Sequence, residues 1–369
     1  AIASSALRPR AEFRPQSISN TSWAFAKLSI TDAPLIDAIA AESIRRLRDY
    51  DTQGQVNTAW SFATILCRHV PLLHAISAAF LSTRNFSPMS LTNMAWSCAK
   101  LGFANGPLLA AISAASLPPL SQFTSQNLAN TLWSFSKLQV VDGPLLSAIS
   151  AASLARMGHF RPQNLANLAW SFANLKVRNG PLLDAISAES LRKIWEFFTQ
   201  NISNTAWAFS KLEVANQPLL DALASASITL ISHSEGDRQF ISNTAWAFSA
   251  RGIPNAPLLA ALAAAARRMM SSFGPQHISN TAWAFAKLGF PDRPLMDALS
   301  SAFIPTMAAF DPQGLTNSAW AFAKLCLMAQ PLRDAIAAAA IRKIAHLRGQ
   351  DLTNMLWAFA TSLVVDWPL

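Results

Sequence analysis

The sequence is poor in charge, in cysteine and in long apolar runs. Only 13% of its 369 residues are charged and 51% are hydrophobic, which excludes an intrinsically disordered chain. Its three cysteines, Cys67, Cys98 and Cys326, lack metal-ligand spacing and cannot all pair, so a disulfide scaffold is also excluded. The longest apolar run, Ala256–Ala266, is shorter than the roughly 18 residues of a membrane-spanning helix. We therefore predict no transmembrane segment.

Glycine and acidic residues are also scarce. The twelve glycines form no glycine-rich phosphate loop. The six histidines do not recur with carboxylates or cysteines in a nucleophile or metal arrangement. We therefore expect no catalysis, no cofactor, no metal and no small-molecule substrate. Lys and Arg number 29 against 20 Asp and Glu, giving a net charge of +9, and this excess favours a polyanionic partner.

Tryptophan marks an internal repeat. Asn always lies three residues before this tryptophan, and a Pro-Leu pair always begins eleven residues after it. Gln lies seven residues before it and Phe two residues after it in nine of the ten repeats. The tryptophans recur about every 37 residues, and a period of this length indicates a solenoid. The repeated tryptophans are Trp23, Trp60, Trp96, Trp133, Trp170, Trp207, Trp246, Trp283, Trp320 and Trp357.

Each repeat is predicted to contain two helices, a first helix around the tryptophan and a second helix that begins at the proline. Proline suits the first helical turn, and basic residues suit the last turn because of the helix dipole. We predict an all-α fold, an α-solenoid of about ten 37-residue helix-turn-helix repeats forming a superhelix. Basic pairs fall at the ends of four second helices: Arg45 and Arg46, Arg192 and Lys193, Arg267 and Arg268, Arg342 and Lys343.

Both ends of the sequence fall inside a repeat. Ala1–Leu7 aligns with Ala148–Leu154, so the sequence opens near the start of a second helix, and Trp367–Leu369 aligns with the start of another one. We therefore treat residues 1–369 as one helical-repeat array with incomplete first and last repeats, and expect it to be a fragment of a longer array. One spacing of 39 residues reflects an insertion around Ser232–Arg238, which predicts a bend, a partner contact or a tolerated loop.

One face of each first helix carries the candidate functional residues. At about 100° per residue, the Gln, the Asn, the Trp and the residue four after the Trp share one stripe. Cations for phosphates, rings for bases and amides for base edges are typical of single-stranded nucleic-acid grooves. We predict that this stripe binds RNA along the concave face. The residue four after the Trp is lysine in six repeats: Lys27, Lys100, Lys137, Lys211, Lys287 and Lys324.

The residue six before the tryptophan varies between repeats. It falls in the first turn of the first helix, and its variety fits either a base-reading code or relaxed selection at an exposed site. The polar side chains that would read bases are Ser17, Ser90, Asn127, Asn164, Asn201, His277 and Asp351.

Structural alternatives exist for every part of the stripe. The Trp is large and apolar, so it can be a buried wedge between repeats instead of a base platform. The constant Asn can form a ladder of hydrogen bonds to a neighbouring backbone. The lysines can be solvated surface, and the basic helix ends can serve the helix dipole alone.

The segments Gln126–Leu138 and Gln163–Leu175 resemble the octotricopeptide repeats of algal proteins and the related heptatricopeptide repeats. The period of 37 residues is closer to the heptatricopeptide version. This resemblance implies a non-catalytic organellar protein, in a mitochondrion or plastid, that binds single-stranded RNA or rRNA. It implies a role in transcript maturation, translation or an organellar ribosome. The alternative is a protein-binding scaffold or peripheral structural subunit of a large organellar complex.

Overall fold

The computed structural model describes residues 14–83, 85–233 and 237–365. Within these ranges the chain forms nineteen α-helices and seven short 3₁₀ helices, without a β-strand, which confirms the predicted α-solenoid. The first helices are α1 (Pro15–Lys27), α3 (Thr52–Thr64), α5 (Pro88–Lys100), α7 (Ser125–Lys137), α9 (Pro162–Asn174), α11 (Thr199–Lys211), α13 (Arg238–Ala250), α15 (Pro275–Lys287), α17 (Pro312–Lys324) and α19 (Gly349–Val365). The second helices are α2 (Ala33–Arg46), α4 (Val70–Leu81), α6 (Gly106–Ser116), α8 (Gly143–Leu154), α10 (Gly180–Arg192), α12 (Gln217–Ser232), α14 (Ala256–Arg268), α16 (Arg293–Thr306) and α18 (Gln330–Arg342).

First helices end in the same backbone motif. In α7, the N–H of Gln139 donates to the carbonyl of Ser136 at 3.0 Å and that of Val140 donates to Phe135 at 2.9 Å. This pair of bonds satisfies carbonyls that have no partner inside the helix. The motif requires a left-handed residue six positions after the tryptophan, and nine repeats have one: Ser29, Leu66, Gly102, Gln139, Lys176, Glu213, Gly252, Gly289 and Cys326.

Second helices begin one residue before the proline, so the proline is the second helical residue instead of the first. The residue in front of the helix supplies the cap. In α8, for example, the Asp142 carboxylate accepts the Leu145 N–H at 3.0 Å. Such caps stabilise a helix by about 1 kcal/mol each. The capping residues are Asp32, His69, Asn105, Asp142, Asn179, Asn216, Asn255 and Asp292.

The core lies between the first and second helices. The Phe two residues after the Trp is fully buried in most repeats, as Phe172, Phe209 and Phe285 illustrate. Successive first helices pack most extensively against each other, because the residues that flank the Phe are Ala or Ser and permit close approach. Ser210 Oγ even donates to the Ala247 carbonyl of the next first helix at 2.8 Å.

Contacts divide the chain into two compact units, Ala1–Ile186 and Ser187–Leu369, and each contains the same stacked repeats. The predicted partial repeats at the two ends involve residues 1–13 and 366–369, which lie outside the described residues. The insertion predicted near Ser232 lengthens α12 to 16 residues, and residues 234–236 also lie outside the described ranges. In the described part of the chain, no helix is long and apolar enough to cross a bilayer.

Candidate nucleic-acid interface

The predicted stripe forms on the first helices of both units. Its glutamines and lysines are exposed, while its asparagines and tryptophans are mostly half-buried. Among the acidic residues that the structure describes, only Asp351 lies in a first helix. The stripe therefore offers amides, indoles and ammonium groups with almost no opposing negative charge, which is the electrostatic environment that a polyanion requires.

The tryptophans of neighbouring first helices pack against each other. Their ring centroids lie 6.4 Å apart for Trp60 and Trp96, and 6.3 Å apart for Trp207 and Trp246. Trp23 and Trp357, in the first and last described first helices, are 45% and 44% exposed, whereas the other eight are covered further by neighbours. The rings thus pack between repeats and keep one side at the surface, and contact of that side with bases stays a prediction.

Four of the six stripe lysines lie over indole rings. The Lys324 Nζ is 4.7 Å from the Trp320 ring centroid, and the Lys287 Nζ is 4.8 Å from that of Trp283. Lys100 lies over Trp96 at 5.9 Å, and Lys27 lies over the rings of two successive repeats. An ammonium within about 6 Å of a ring face is attracted by the ring quadrupole. The indoles therefore restrict the lysines while their charges remain exposed to solvent.

The asparagine ladder expected as a structural alternative is absent from the described first helices. Nine of the ten asparagine side chains three residues before the Trp make no hydrogen bond within the chain. The exception is Asn243, which accepts a bond of 2.8 Å from the Gln239 side chain of its own helix. That alternative is therefore wrong, because buried structural amides are normally hydrogen-bonded within the protein.

In the second unit, stripe amides from successive first helices line a groove of about 510 Å³. Gln276 and Asn280 of α15 face Gln313 and Asn317 of α17, and Trp246 of α13 closes one side. The exposed Asp311, which caps α17, also lines the groove and is its one acidic residue. This volume lies in the usual range of ligand clefts. The groove therefore presents several donors and acceptors beside an aromatic ring, which is the chemistry that reads a base edge or a ribose hydroxyl.

The residues six before the Trp lie in the first helical turn, as predicted, and five of them cap the helix. The Asn201 Oδ1 accepts the Phe198 N–H at 3.1 Å, and the His277 Nδ1 accepts the Gly274 N–H at 3.1 Å. Burial, followed by the charge of Arg238, lowers the pKa of His277. Equivalent bonds are made by Asn127, Asn164 and Asp351.

Variation at this position follows the source of the cap, which the sequence reasoning missed. In two repeats the residue just before the helix, Asp51 or Asp311, supplies the cap and position minus six is glycine. Asp237 caps α13 in the same way with Phe240 at that position. A Cβ at Gly314 would lie only 2.8 Å from the Asp311 carboxylate oxygen. Ser90 receives its cap from Ser87 at 3.1 Å, and Ser17 is exposed without a side-chain cap. Base reading by these side chains stays a prediction.

The basic helix ends divide into paired and free groups. Arg45 and Arg46 bind Glu42, while Arg192 and Lys193 bind Glu189. The Arg192 hydrogen bond lowers the pKa of the Glu189 carboxyl. Lys343 donates to the Ala308 carbonyl at 3.0 Å. The remaining members, Arg267, Arg268 and Arg342, are exposed in the last turns of α14 and α18, where the helix dipole favours them.

Comparisons with known proteins give one family. Residues 145–366, more than half of the chain, match the model of the family described as RNA-editing substrate-binding complex 6 protein. A search of the curated proteins finds no significant match. Among solved structures, a chain of a homology model of the full-length AP-3 complex in an intermediate open conformation is similar over 96% of this chain and 68% of its own length. That similarity has 12% identity and a TM-score of 0.36, too low to support an argument.

Proposed function

The chain belongs to the RNA-editing substrate-binding complex 6 family, and from this premise we propose that its first-helix stripe binds single-stranded RNA. The family name refers to an editing substrate and to a complex, so it supports both an RNA ligand and assembly with other proteins. The proposal assigns the ligand to the face that is nearly free of acidic residues.

The chemistry of the stripe suits a flexible polyanion. The six lysines would contact phosphates, and the indole contacts of four of them would reduce the side-chain entropy lost on binding. The half-buried Trp edges would contact bases or riboses. The amides would hydrogen-bond base edges and the 2′-hydroxyl, which distinguishes RNA from DNA.

The observation that carries the proposal is the set of unpaired amides around the groove in the second unit. The side-chain amides of Gln276, Asn280, Gln313 and Asn317 come from two successive first helices and make no hydrogen bond inside the protein. They are exposed or half-buried, so water satisfies them in the free protein. A ligand with many donors and acceptors can take the place of that water.

The same proposal covers the biological setting. The resemblance to octotricopeptide and heptatricopeptide repeats supports an organellar location, in a mitochondrion or plastid, and a role in RNA maturation or translation. We propose that the repeats bind without catalysing a reaction.

Binding of a fluorescein-labelled oligouridylate, measured by fluorescence anisotropy across salt concentrations, tests the proposal. One variant replaces Lys211, Lys287 and Lys324 with Ala. A matched variant of the same unit replaces the exposed Arg267, Arg268 and Arg342 with Ala, so both lose the same charge. Each phosphate contact adds about 0.7 to the magnitude of the salt slope for single strands. We expect the magnitude of the salt slope to fall by about 2 in the lysine variant and to stay at the wild-type value in the arginine variant.

An equal loss in both variants would show a non-specific charge effect and contradict the assignment to the stripe. An Asn280→Ala, Asn317→Ala variant adds a second test, because amide contacts act without charge. It should weaken binding at every salt concentration while leaving the slope unchanged. Failure of the wild-type chain to bind RNA at low salt would reject the proposal and favour the protein-binding scaffold.

A further inference from the structure

One repeat of the second unit exposes two aromatic side chains outside the stripe. Trp195 is 82% exposed in the 3₁₀ helix Ile194–Glu196 that follows α10, and Phe198 is 70% exposed just before α11. Six other repeats have a basic, small or polar residue at the position of Trp195: Arg48, Ser121, Gly158, Ser271, Ala308 and Ala345.

Phe198 occupies a helix N-cap, where aromatic residues are unfavourable because they supply no acceptor. The Phe198 N–H donates to Asn201 Oδ1 at 3.1 Å, and the Phe198 carbonyl accepts the Asn201 N–H at 2.9 Å. The start of the helix is therefore held by the backbone of Phe198, and none of these bonds involves its exposed ring. Two costly surface aromatics in one repeat indicate a binding surface.

A groove of about 320 Å³ lies beside Trp195. Its walls are mainly apolar and include Ile194, Phe197, Ala222, Ala226 and Leu230, with α12 forming the far side. The groove is large enough to accept one aliphatic or aromatic side chain. A concave apolar pocket beside an exposed Trp is the usual arrangement of an interface hot spot.

The charges around this surface indicate what kind of partner it fits. Arg192 and Lys193 are both bound to Glu189, and the exposed Glu196 adjoins Trp195. These four charged groups sum to zero, so nothing here attracts a phosphate backbone. The partner that this surface complements is apolar and uncharged at the point of contact.

The size of the surface limits the partner further. The two rings expose on the order of 300 Å², whereas a stable interface between folded proteins buries about 800 Å² on each side. We propose that Trp195, Phe198 and the adjoining groove form a docking site for a short apolar segment of another protein, which inserts one large side chain beside Trp195. The groove itself is lined by the 3₁₀ helix, Phe197 and α12, without a first-helix residue, so we expect RNA on the stripe and this segment to bind together.

Selection of short random peptides displayed on phage against the full-length chain tests this site, with counter-selection against Trp195→Ser. Serine is the native residue at the equivalent Ser121 and Ser271, so the variant should retain the wild-type melting temperature. We expect selected peptides to share an apolar or aromatic anchor. By fluorescence anisotropy, Trp195→Ser should raise the dissociation constants of these peptides at least about tenfold. Ile341→Ser, which alters an exposed residue of α18, should leave the dissociation constants unchanged.

Three results would overturn the proposal. The first is the absence of enriched peptides, or peptides that bind Trp195→Ser as tightly as the wild type. The second is a dimer of the wild-type chain in sedimentation that Trp195→Ser dissociates, because the site would then bind a second copy. The third is loss of oligouridylate binding in Trp195→Ser. The Lys211, Lys287 and Lys324 variant should bind the peptides normally, which keeps this test distinct from the RNA test.

Discussion

His277 shows how one side chain adapts a shared position to a different chemistry. Three other repeats have Asn there, and each caps its helix through Oδ1. His277 makes the same bond with Nδ1 as the acceptor, which requires an unprotonated ring nitrogen. Burial and the nearby Arg238 both disfavour the imidazolium and lower the pKa of His277 from its ordinary value of 6.5.

This shift predicts a loss of stability in mild acid. As the pH falls below about 7, the unfolded chain protonates His277 before the folded chain does, so the free energy of unfolding decreases. The decrease ends once the pH passes below the lowered pKa of the folded state. His277→Asn retains the cap and removes the titrating group. Urea unfolding at about pH 7.5 and 5.5 should therefore show a smaller pH effect in His277→Asn than in the wild type.

His159→Asn is the control, because His159 is exposed and makes no side-chain hydrogen bond in the structure. It should leave the pH dependence close to that of the wild type. Equal pH dependence in His277→Asn and in the wild type would show that the cap does not depend on a neutral ring.

At the scale of single helices, the backbone conformation at the helix end determines which glycines matter. Gly102 follows α5 with a φ of +61°, and Gly143 is the first residue of α8, where φ is not positive. An added Cβ would meet nothing within 4 Å at either position. Any difference between the two alanine variants therefore comes from backbone preference alone.

Gly102→Ala should lower the free energy of unfolding by about 1 kcal/mol, since a left-handed conformation costs a side-chain-bearing residue about that much. Gly143→Ala should raise it by about 0.5 kcal/mol, because alanine reduces the entropy of the unfolded chain. Both glycines belong to the first unit, so urea unfolding of the two variants under the same conditions compares them directly. Shifts of the same sign would contradict this account of the helix ends.

Helix positions followed directly from the repeat. The Trp, the Pro and the small residues occur in nearly every copy, and a feature shared by ten copies averages out local exceptions. The first helix predicted around Trp283, for example, forms as Pro275–Lys287. The caps of the second helices are also present in the sequence, as an Asp or Asn two residues before most of the prolines, but the proline alone predicts a start that is one residue too late.

Details of the stripe depend on side-chain conformation, which a repeat pattern does not specify. Lys287 lies over Trp283, whereas Lys137 at the equivalent position makes no such contact. The partial burial of the Trp rings also depends on how closely two first helices approach. Variation six residues before the Trp resembled a base code because the sequence alone does not show which of two residues caps a helix.

Across the whole molecule, charge separates the two sets of helices. Six lysines occupy one stripe position of the first helices, while Asp351 is the only acidic residue in any first helix of the described chain. Asp51, Asp237 and Asp311 cap first helices from the position just before each helix. The other described acidic groups cap second helices, pair with arginines, or lie in turns, short helices and second helices. A polyanion that follows the lysine position of the first helices would therefore meet positive charge, with these three carboxylates confined to the helix N-termini.

New negative charge on this face should then reduce RNA binding even when no lysine is removed. One variant combines Thr64→Glu, Ala250→Glu and Thr361→Glu, at repeats where the lysine position is neutral. Its control places three glutamates at exposed alanines of second helices: Ala110, Ala260 and Ala338. Both variants lower the net charge by three, so long-range attraction between protein and RNA falls alike. The difference between them measures the local effect of charge on the stripe.

Anisotropy with the labelled oligouridylate should show at least about a tenfold larger dissociation constant for the first-helix variant than for the control at low salt. Each glutamate placed within a few ångströms of a phosphate costs about 1 kcal/mol in a solvated groove. The difference between the dissociation constants of the two variants should decrease as the salt concentration rises, because salt screens the repulsion. Equal binding by the two variants at low salt would mean that the RNA does not run along the first-helix stripe, because a ligand on that face cannot avoid the added carboxylates.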